Sequence, residues 1–182
     1  MLKPIQSHII KWCPILYFVL SLGLSAPWPA YAEKKFTAQV THVYDGDTIK
    51  VKIYHPCTDT RPCQTTARIR LAEIDTPEHD QPYGHEAQKA LEELVQWQDV
   101  NIVWTKKDSY NRFIAQVYLD QDLINHEMIR EGHAWVYPYF TSDPQIYQLE
   151  HTARLAQKGV WQRPVEQLIP PWIWRRSHKR SK

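Results

Sequence analysis

Residues 36–54 read FTAQVTHVYDGDTIKVKIY, two alternating segments joined by the turn Asp45-Gly46-Asp47. Residues 36–44 and 48–54 are rich in β-branched and aromatic side chains, and their apolar and polar residues alternate as in half-buried strands. Asp-Gly is a favoured pair in tight turns between strands. The segment therefore predicts two strands that meet at a turn carrying two carboxylates.

Three more segments predict strands, over residues 66–71 (TARIRL), 100–104 (VNIVW) and 113–119 (FIAQVYL). Apolar residues at helical spacing predict about three helices, over residues 84–97, over residues 123–131 and from an N-cap at Asp143 to Gly159. Five short strands with helices packed around them predict an α+β fold, a small five-stranded Greek-key barrel of the OB type.

The N-terminus has the pattern of a secretory signal peptide, with Lys3 and Lys11 before an apolar run over residues 14–25 and an A-x-A site at residues 30–32. We expect cleavage after Ala32. The alternative, an uncleaved anchor, is disfavoured because a spanning helix needs about 20 apolar residues. Export predicts a periplasmic or extracellular protein without stable membrane association after cleavage.

Two cysteines would remain after cleavage, Cys57 and Cys63, in a loop with two prolines. In an oxidising compartment such a pair is expected to form a disulfide, here one that braces a loop. We divide the chain into a signal peptide (1–32), a main folded domain (33–163) and a proline-rich strap with a basic tail (164–182). For the tail two interpretations stay open, a solvated end or a tether for polyanions.

Charged residues cluster in three short segments, Asp45 to Thr48, Arg70 to Glu78 and Tyr110 to Arg112. Carboxylates without cysteine or paired histidine are the ligands of hard cations such as Ca²⁺ or Mg²⁺. Arginine matches phosphate oxygens with its planar fork and keeps its charge. A hard metal, a phosphate clamp and a spare carboxylate together predict a phosphodiesterase site.

These segments resemble the motifs of the thermonuclease family, the secreted staphylococcal-nuclease-like enzymes. The similar motifs are D-G-D-T at residues 45–48, R-x-x-x-x-D-T-P-E at 70–78, Y-x-R at 110–112, Asn125 with Arg-Glu-Gly at 130–132, and the close of the domain at 153–161. The resemblance spans roughly residues 36–161. It implies an OB-type barrel and Ca²⁺-dependent hydrolysis of phosphodiester bonds in DNA and RNA.

The resemblance also implies the role of each matched residue. The calcium ligands would be two carboxylates and one main-chain carbonyl, those of Asp47, Asp75 and Thr76. Glu78 would be the general base that takes a proton from the attacking water. Arg70 and Arg112 would grip the phosphorane, whose charge exceeds that of the ground state.

The third motif departs from the family pattern, because Asn111 stands where these enzymes usually have glycine and Ser109 replaces a frequent basic residue. Asparagine is the non-glycine residue best suited to a left-handed turn, so we expect the turn to survive. Tyr110 would stack on or hydrogen-bond to the nucleotide. Tyr137 either lines the same groove or is an aromatic residue of the core or rim.

The predicted function is that of an exported, metal-dependent endonuclease with low sequence specificity, acting as a monomer on DNA and RNA and preferring single strands. One alternative is a non-catalytic nucleic-acid-binding module on the same barrel. Another is an extracytoplasmic calcium-binding scaffold, which leaves the two arginines unexplained. Zinc chemistry is not expected, because the histidines do not form an H-E-x-x-H pattern.

Overall fold

The computed structural model describes residues 33–56, 58 and 63–178. Its strands, in chain order, are β1 Lys34–Asp45, β2 Thr48–Tyr54, β3 Gln64–Leu71, β4 Ile74–Asp75, β5 Asp99–Lys107, β6 Phe113–Leu119, β7 Asp122–Leu123 and β8 Trp135–Val136. The predicted strand over residues 113–119 has the bounds of β6, whereas β1 and β5 extend beyond their predicted ends.

Five of these strands close into a barrel. β1 lies between β2 and β5, β2 pairs with β3, and β5 pairs with β6, all antiparallel. A parallel pairing of β3 with β6, in which Arg70 lies opposite Ile114, completes the ring. Closure leaves these strands without free edges. The predicted α+β fold with an OB-type barrel is confirmed, and the parallel pairing brings the segment of Arg70 beside that of Arg112.

The described residues form four α-helices, α1 Gly84–Val95, α2 Ile124–Arg130, α3 Pro144–Leu155 and α4 Pro171–Ser177. The predicted cap of α3 is confirmed, since Asp143 Oδ1 accepts a hydrogen bond from the Gln145 amide at 2.8 Å and Pro144 occupies the first turn. Helix α1 ends before Trp97, whose φ of 67° is incompatible with a right-handed helix. Among the described residues, none of the helices has the length and apolar character needed to cross a membrane.

The barrel interior is filled by aliphatic side chains, among them Ile49, Ile69 and Ile102, and is covered by Leu91 of α1 and Met128 of α2. A second cluster contains Trp135, Ala153, Val160 and Trp161, and Trp172 packs against it. Each buried aliphatic or aromatic side chain stabilises the fold by about 1.5–3 kcal/mol relative to exposure.

One buried polar residue holds the loop that follows β3. Asn125 is fully buried, and its Oδ1 accepts a hydrogen bond from the Val117 amide at 3.0 Å. Its Nδ2 donates to the carbonyls of Ala72 and Ala115 at 2.9 and 3.1 Å. A buried amide side chain with all these hydrogen bonds holds the segments that it contacts in one arrangement, because any shift would leave a buried polar group without a partner. Asn125 therefore ties β6 to the loop that carries the acidic residues described below.

The C-terminal segment is more ordered than the sequence predicted. Residues 164–171 were expected to be an extended strap and the following basic residues a solvated or tethering end, but α4 begins at Pro171 and its last turn reaches His178. The helix docks because Pro171 is buried and Trp172 meets the tryptophan cluster. The predicted signal peptide (1–32) lies outside the described residues, as does Cys57, so the Cys57–Cys63 disulfide stays a prediction.

Candidate active site

The turn between β1 and β2 holds Asp47 in a fixed orientation. Its Oδ2 accepts hydrogen bonds from the Thr76 amide at 3.0 Å and from Thr76 Oγ1 at 3.1 Å. Its Oδ1 accepts from Thr48 Oγ1 at 3.1 Å. A Cβ on Gly46 would approach the Thr76 side chain to 2.9 Å, so glycine permits the close contact of the two loops. Asp47 and Thr76, which the sequence assigned to one metal site, are therefore direct neighbours.

Arg70 joins two acidic residues of the site. On β3 its Nε lies 3.1 Å from Asp47 Oδ1, and its Nη2 lies 2.9 Å from Asp75 Oδ1. Its Nη1 donates to the carbonyl of Leu71 at 2.7 Å. The Arg70 side chain is 12% exposed and that of Asp75 only 2%, so these ion pairs are shielded from water. Shielding strengthens the attraction but makes the loss of either partner costly.

Glu78 follows at the start of a tight loop before α1. Its amide donates to Gln81 Oε1 at 3.1 Å, and its carbonyl accepts from the Gln81 amide at 2.9 Å. A Cβ on Gly84 would overlap the Glu78 carbonyl oxygen, so the helix start packs directly against this backbone. Gln81 is buried and donates through Nε2 to the Ile169 carbonyl at 2.6 Å. The Glu78 backbone is thus held from two sides.

Arg112 is positioned by Asp108, a residue that the sequence analysis did not single out. Asp108 Oδ1 accepts from the Arg112 amide at 2.9 Å, and its Oδ2 lies 2.8 Å from Arg112 Nε. Burial opposes ionisation of Asp108, but its hydrogen bonds from Arg112 hold its pKa below the usual value. Asn111 has a φ of 60°, which confirms the predicted left-handed turn. Arg112 Nη1 then reaches Thr48 Oγ1 at 3.2 Å, at the mouth of the acidic cluster.

All eight residues predicted for catalysis, metal and substrate binding line one cavity of about 580 Å³: Asp47, Arg70, Asp75, Thr76, Glu78, Tyr110, Arg112 and Tyr137. Tyr110 is 70% exposed, and the Arg112 guanidinium carbon lies 5.6 Å from its ring centroid. Tyr137 contacts Phe140, which also lines the cavity, at a centroid distance of 4.9 Å. Acidic and guanidinium groups therefore share a cavity whose rim is aromatic.

Two carboxyl groups of the cavity bind protons more tightly than usual. Burial, and then the negative charge of Asp47, raise the pKa of Asp45 to about 7. Burial also raises the pKa of Asp75 to about 6, although the hydrogen bond with Arg175 opposes this effect. Shifts of this kind show that a buried negative charge is costly here, and they are frequent at functional sites. Added positive charge would relieve that cost.

The donor set of the cavity fits a hard divalent cation. Asp47 and Asp75 present carboxylate oxygens to the same guanidinium, and Asp45 lines the same cavity. Oxygen donors of this kind suit Ca²⁺ or Mg²⁺. In the part of the chain that the structure describes, no three His, Cys, Asp or Glu side chains are grouped to hold a metal as they stand. The oxygens of Asp47 and Asp75 are instead directed at Arg70, Thr76 and Arg175.

Arg175 of α4 is an unexpected member of the site. Its Nη2 lies 2.8 Å from Asp75 Oδ2, and its Nη1 lies 3.1 Å from Asp75 Oδ1 and 2.6 Å from Glu78 Oε1. The sequence alone predicts a solvated or tethering tail at this position. A helix could be predicted here from the Pro170-Pro171 pair before two tryptophans, because proline is favoured in the first turn of a helix. That signal does not say where the helix docks.

Comparison with known proteins gives a consistent result. Residues 68–163 match the family model described as staphylococcal nuclease homologue. An uncharacterised endonuclease of Escherichia coli is 34% identical over 166 residues, which is 91% of this chain and 97% of that protein. A micrococcal nuclease of Shigella flexneri is 35% identical over 84% of this chain and 87% of its own length. An uncharacterised endonuclease of Haemophilus influenzae is 34% identical over 82% of this chain and 79% of its own length.

Proposed function

Since this chain belongs to the staphylococcal nuclease family, we propose that it is an exported, Ca²⁺-dependent endonuclease that hydrolyses DNA and RNA with low sequence specificity. That it is a nuclease, with nucleic acid as substrate and a divalent metal as cofactor, follows from the family. The single observation that supports the proposed chemistry is the shared cavity in which Arg70 and Arg112 meet Asp47, Asp75 and Glu78.

Asp47, Asp75 and the Thr76 carbonyl are the groups proposed to hold the cation. When bound, Ca²⁺ would hold a phosphate oxygen and add positive charge where negative charge develops. The preference for Ca²⁺ over Mg²⁺ is supported by the mixed set of carboxylate and carbonyl donors, because Ca²⁺ accepts irregular shells and Mg²⁺ demands a strict octahedron.

Arg70 and Arg112 are proposed to bind the scissile phosphate from two directions. Each guanidinium is already held by acidic partners before substrate arrives, Arg70 by both Asp47 and Asp75 and Arg112 by Asp108. Fixed donors of this kind stabilise the phosphorane without reorganising during the reaction. Removing one such donor costs about 10²–10³-fold in kcat.

Glu78 is proposed to accept a proton from the attacking water. The water oxygen forms a bond to phosphorus, its proton passes to a Glu78 carboxylate oxygen, and the bond from phosphorus to one ester oxygen breaks. That oxygen leaves with the electron pair and is protonated by solvent. The rigid backbone between Glu78 and Gln81 keeps the carboxylate at the edge of the cavity.

A preference for single strands is supported by the aromatic rim. Tyr110 is largely exposed beside Arg112, and Tyr137 and Phe140 line the same cavity. Unpaired bases stack on such rings without regard to sequence, at about 1–3 kcal/mol per base, whereas paired bases are not available. We expect Tyr110→Ala to lower kcat/KM on single-stranded DNA more than on duplex DNA of the same sequence.

The roles are tested with the purified protein and two variants, Glu78→Gln and Arg112→Ala, on single-stranded DNA, duplex DNA and RNA in Ca²⁺, in Mg²⁺ and in chelator. Arg130→Ala is the control, because Arg130 pairs with Glu127 on α2, away from the cavity. We expect both site variants to lose about 10²-fold or more in kcat with the control unchanged. Wild-type rates in either site variant would refute the assignment.

A further inference from the structure

Helix α4 is anchored beside the cavity at several points. Pro171 is buried, and the Trp172 ring lies 5.6 Å from that of Tyr137. Trp174 Nε1 donates to Asp80 Oδ1 at 3.2 Å. The Gln81 side chain holds the preceding segment through the Ile169 carbonyl. A helix of seven residues would not persist in isolation, so these contacts fix its place and the direction of its side chains.

The anchored helix directs Arg175 at two acidic residues of the site. Both guanidinium nitrogens contact Asp75, one on each carboxylate oxygen, and Nη1 also contacts Glu78. The Asp75 side chain is 2% exposed and that of Arg175 is 39% exposed, so a partly exposed guanidinium covers a buried carboxylate. Bidentate pairs of this type are among the stronger charge-assisted hydrogen bonds. The guanidinium thus binds carboxylate oxygens of Asp75 and Glu78, to which a cation or a proton would otherwise bind.

We propose that Arg175 is a built-in competitor of the divalent cation, so that α4 holds the enzyme in a self-inhibited state until the cation displaces the guanidinium. The inference rests on the proposed function of this site, because it takes Asp75 as a metal ligand and Glu78 as the proton acceptor. Displacement frees both residues in one event, since a single side chain engages both.

The expected size of the effect follows from competition. If the state with Arg175 engaged is favoured over the released state by a ratio K, the apparent dissociation constant of the cation rises by the factor 1 + K. Hydrogen bonds to charged groups favour the engaged state, while the 39% exposure of the Arg175 side chain weakens them. We expect removal of the guanidinium to tighten Ca²⁺ binding about tenfold.

The test is calorimetric titration of Ca²⁺ into wild type, Arg175→Met, Arg175→Lys and the matched control Arg176→Met. Arg176 is the next residue of the same helix and contacts Tyr139 Oη at 3.5 Å instead of the carboxylates. We expect about tenfold tighter binding in Arg175→Met, a smaller gain in Arg175→Lys, which keeps the charge but loses the fork, and wild-type binding in the control.

Binding within twofold of wild type, or weaker binding, in a folded Arg175→Met protein would overturn the proposal. If that variant does not fold, Arg175→Lys decides in the same way. Weaker nucleotide binding with unchanged Ca²⁺ affinity would make Arg175 a substrate contact and also overturn it. Failure of the proposed function would appear in a different measurement, namely as wild-type cleavage that does not depend on Ca²⁺. A wild type that cleaves only with Ca²⁺, beside an Arg175→Met protein of unchanged affinity, would refute the competition alone.

Discussion

Replacing Arg70 by Met tests whether one guanidinium holds two buried carboxylates together. Arg70 lies 3.1 Å from Asp47 and 2.9 Å from Asp75, and the side chains of these acids are 8% and 2% exposed. Methionine keeps much of the apolar stem but removes the charge. Breaking a buried ion pair from one side costs about 3–5 kcal/mol. Because Arg175 still contacts Asp75, we expect the lower end, about 3 kcal/mol.

The assay is urea denaturation of wild type, Arg70→Met, Asp75→Asn and the double variant, in chelator. Part of the loss in Arg70→Met comes from a charge on Asp75 that only Arg175 still compensates, so Asp75→Asn should cost about 2 kcal/mol less in that background than in wild type. Arg68→Met on the same strand is the control, since Arg68 is exposed and donates to the Tyr110 carbonyl, and it should stay within about 0.5 kcal/mol. A loss below about 1 kcal/mol in Arg70→Met, or an absence of coupling, would show that Arg70 does not hold the two carboxylates together.

Three further outcomes are expected. Asn125→Leu leaves the Val117 amide and the Ala72 carbonyl without partners and should cost about 3 kcal/mol in urea denaturation; a loss under 1 kcal/mol contradicts this. Asn111→Val forces a β-branched residue to positive φ and should cost about 1–2 kcal/mol, whereas Asn111→Gly should be neutral within about 1 kcal/mol. Burial lowers the pKa of His133, so the unfolded chain protonates first and the contribution of His133 to stability falls as pH drops below the ordinary value of 6.5. Thermal melts at pH 7.5 and 5.5 should therefore show a more favourable change in melting temperature on acidification in His133→Gln than in wild type, and equal changes would contradict the assignment.

Much of the barrel was predictable because strand patterns are local. Alternation in residues 48–54 and 113–119 reports a buried face directly, and β2 and β6 have those bounds. The site motifs were likewise readable, since the D-G-D-T turn and the R-x-x-x-x-D-T-P-E segment keep their residues close in sequence. The cavity brings together all the residues assigned from these segments.

Contacts between distant segments were not predictable in the same way. The parallel pairing of β3 with β6 joins Arg70 to Ile114, and periodicity in each strand does not specify its neighbour. The role of Asp108 could not be predicted from the sequence, because an acidic residue in a polar turn is usually solvated. In the structure it orients Arg112. Arg175 lies 100 residues from Asp75 in sequence, and a basic run carries charge but no direction. Only the docking of α4 on the tryptophan cluster determines where that charge lies.

Ca²⁺-dependent endonuclease activity is tested by incubation of the purified protein with circular single-stranded DNA, in Ca²⁺ and in excess chelator, beside Glu78→Gln. A circle has no ends, so only an endonuclease can open it. We expect wild type with Ca²⁺ to convert circles to linear molecules and then to fragments, and to leave them intact in chelator. Intact circles with folded, Ca²⁺-loaded wild type, or equal cleavage in chelator, would contradict the account.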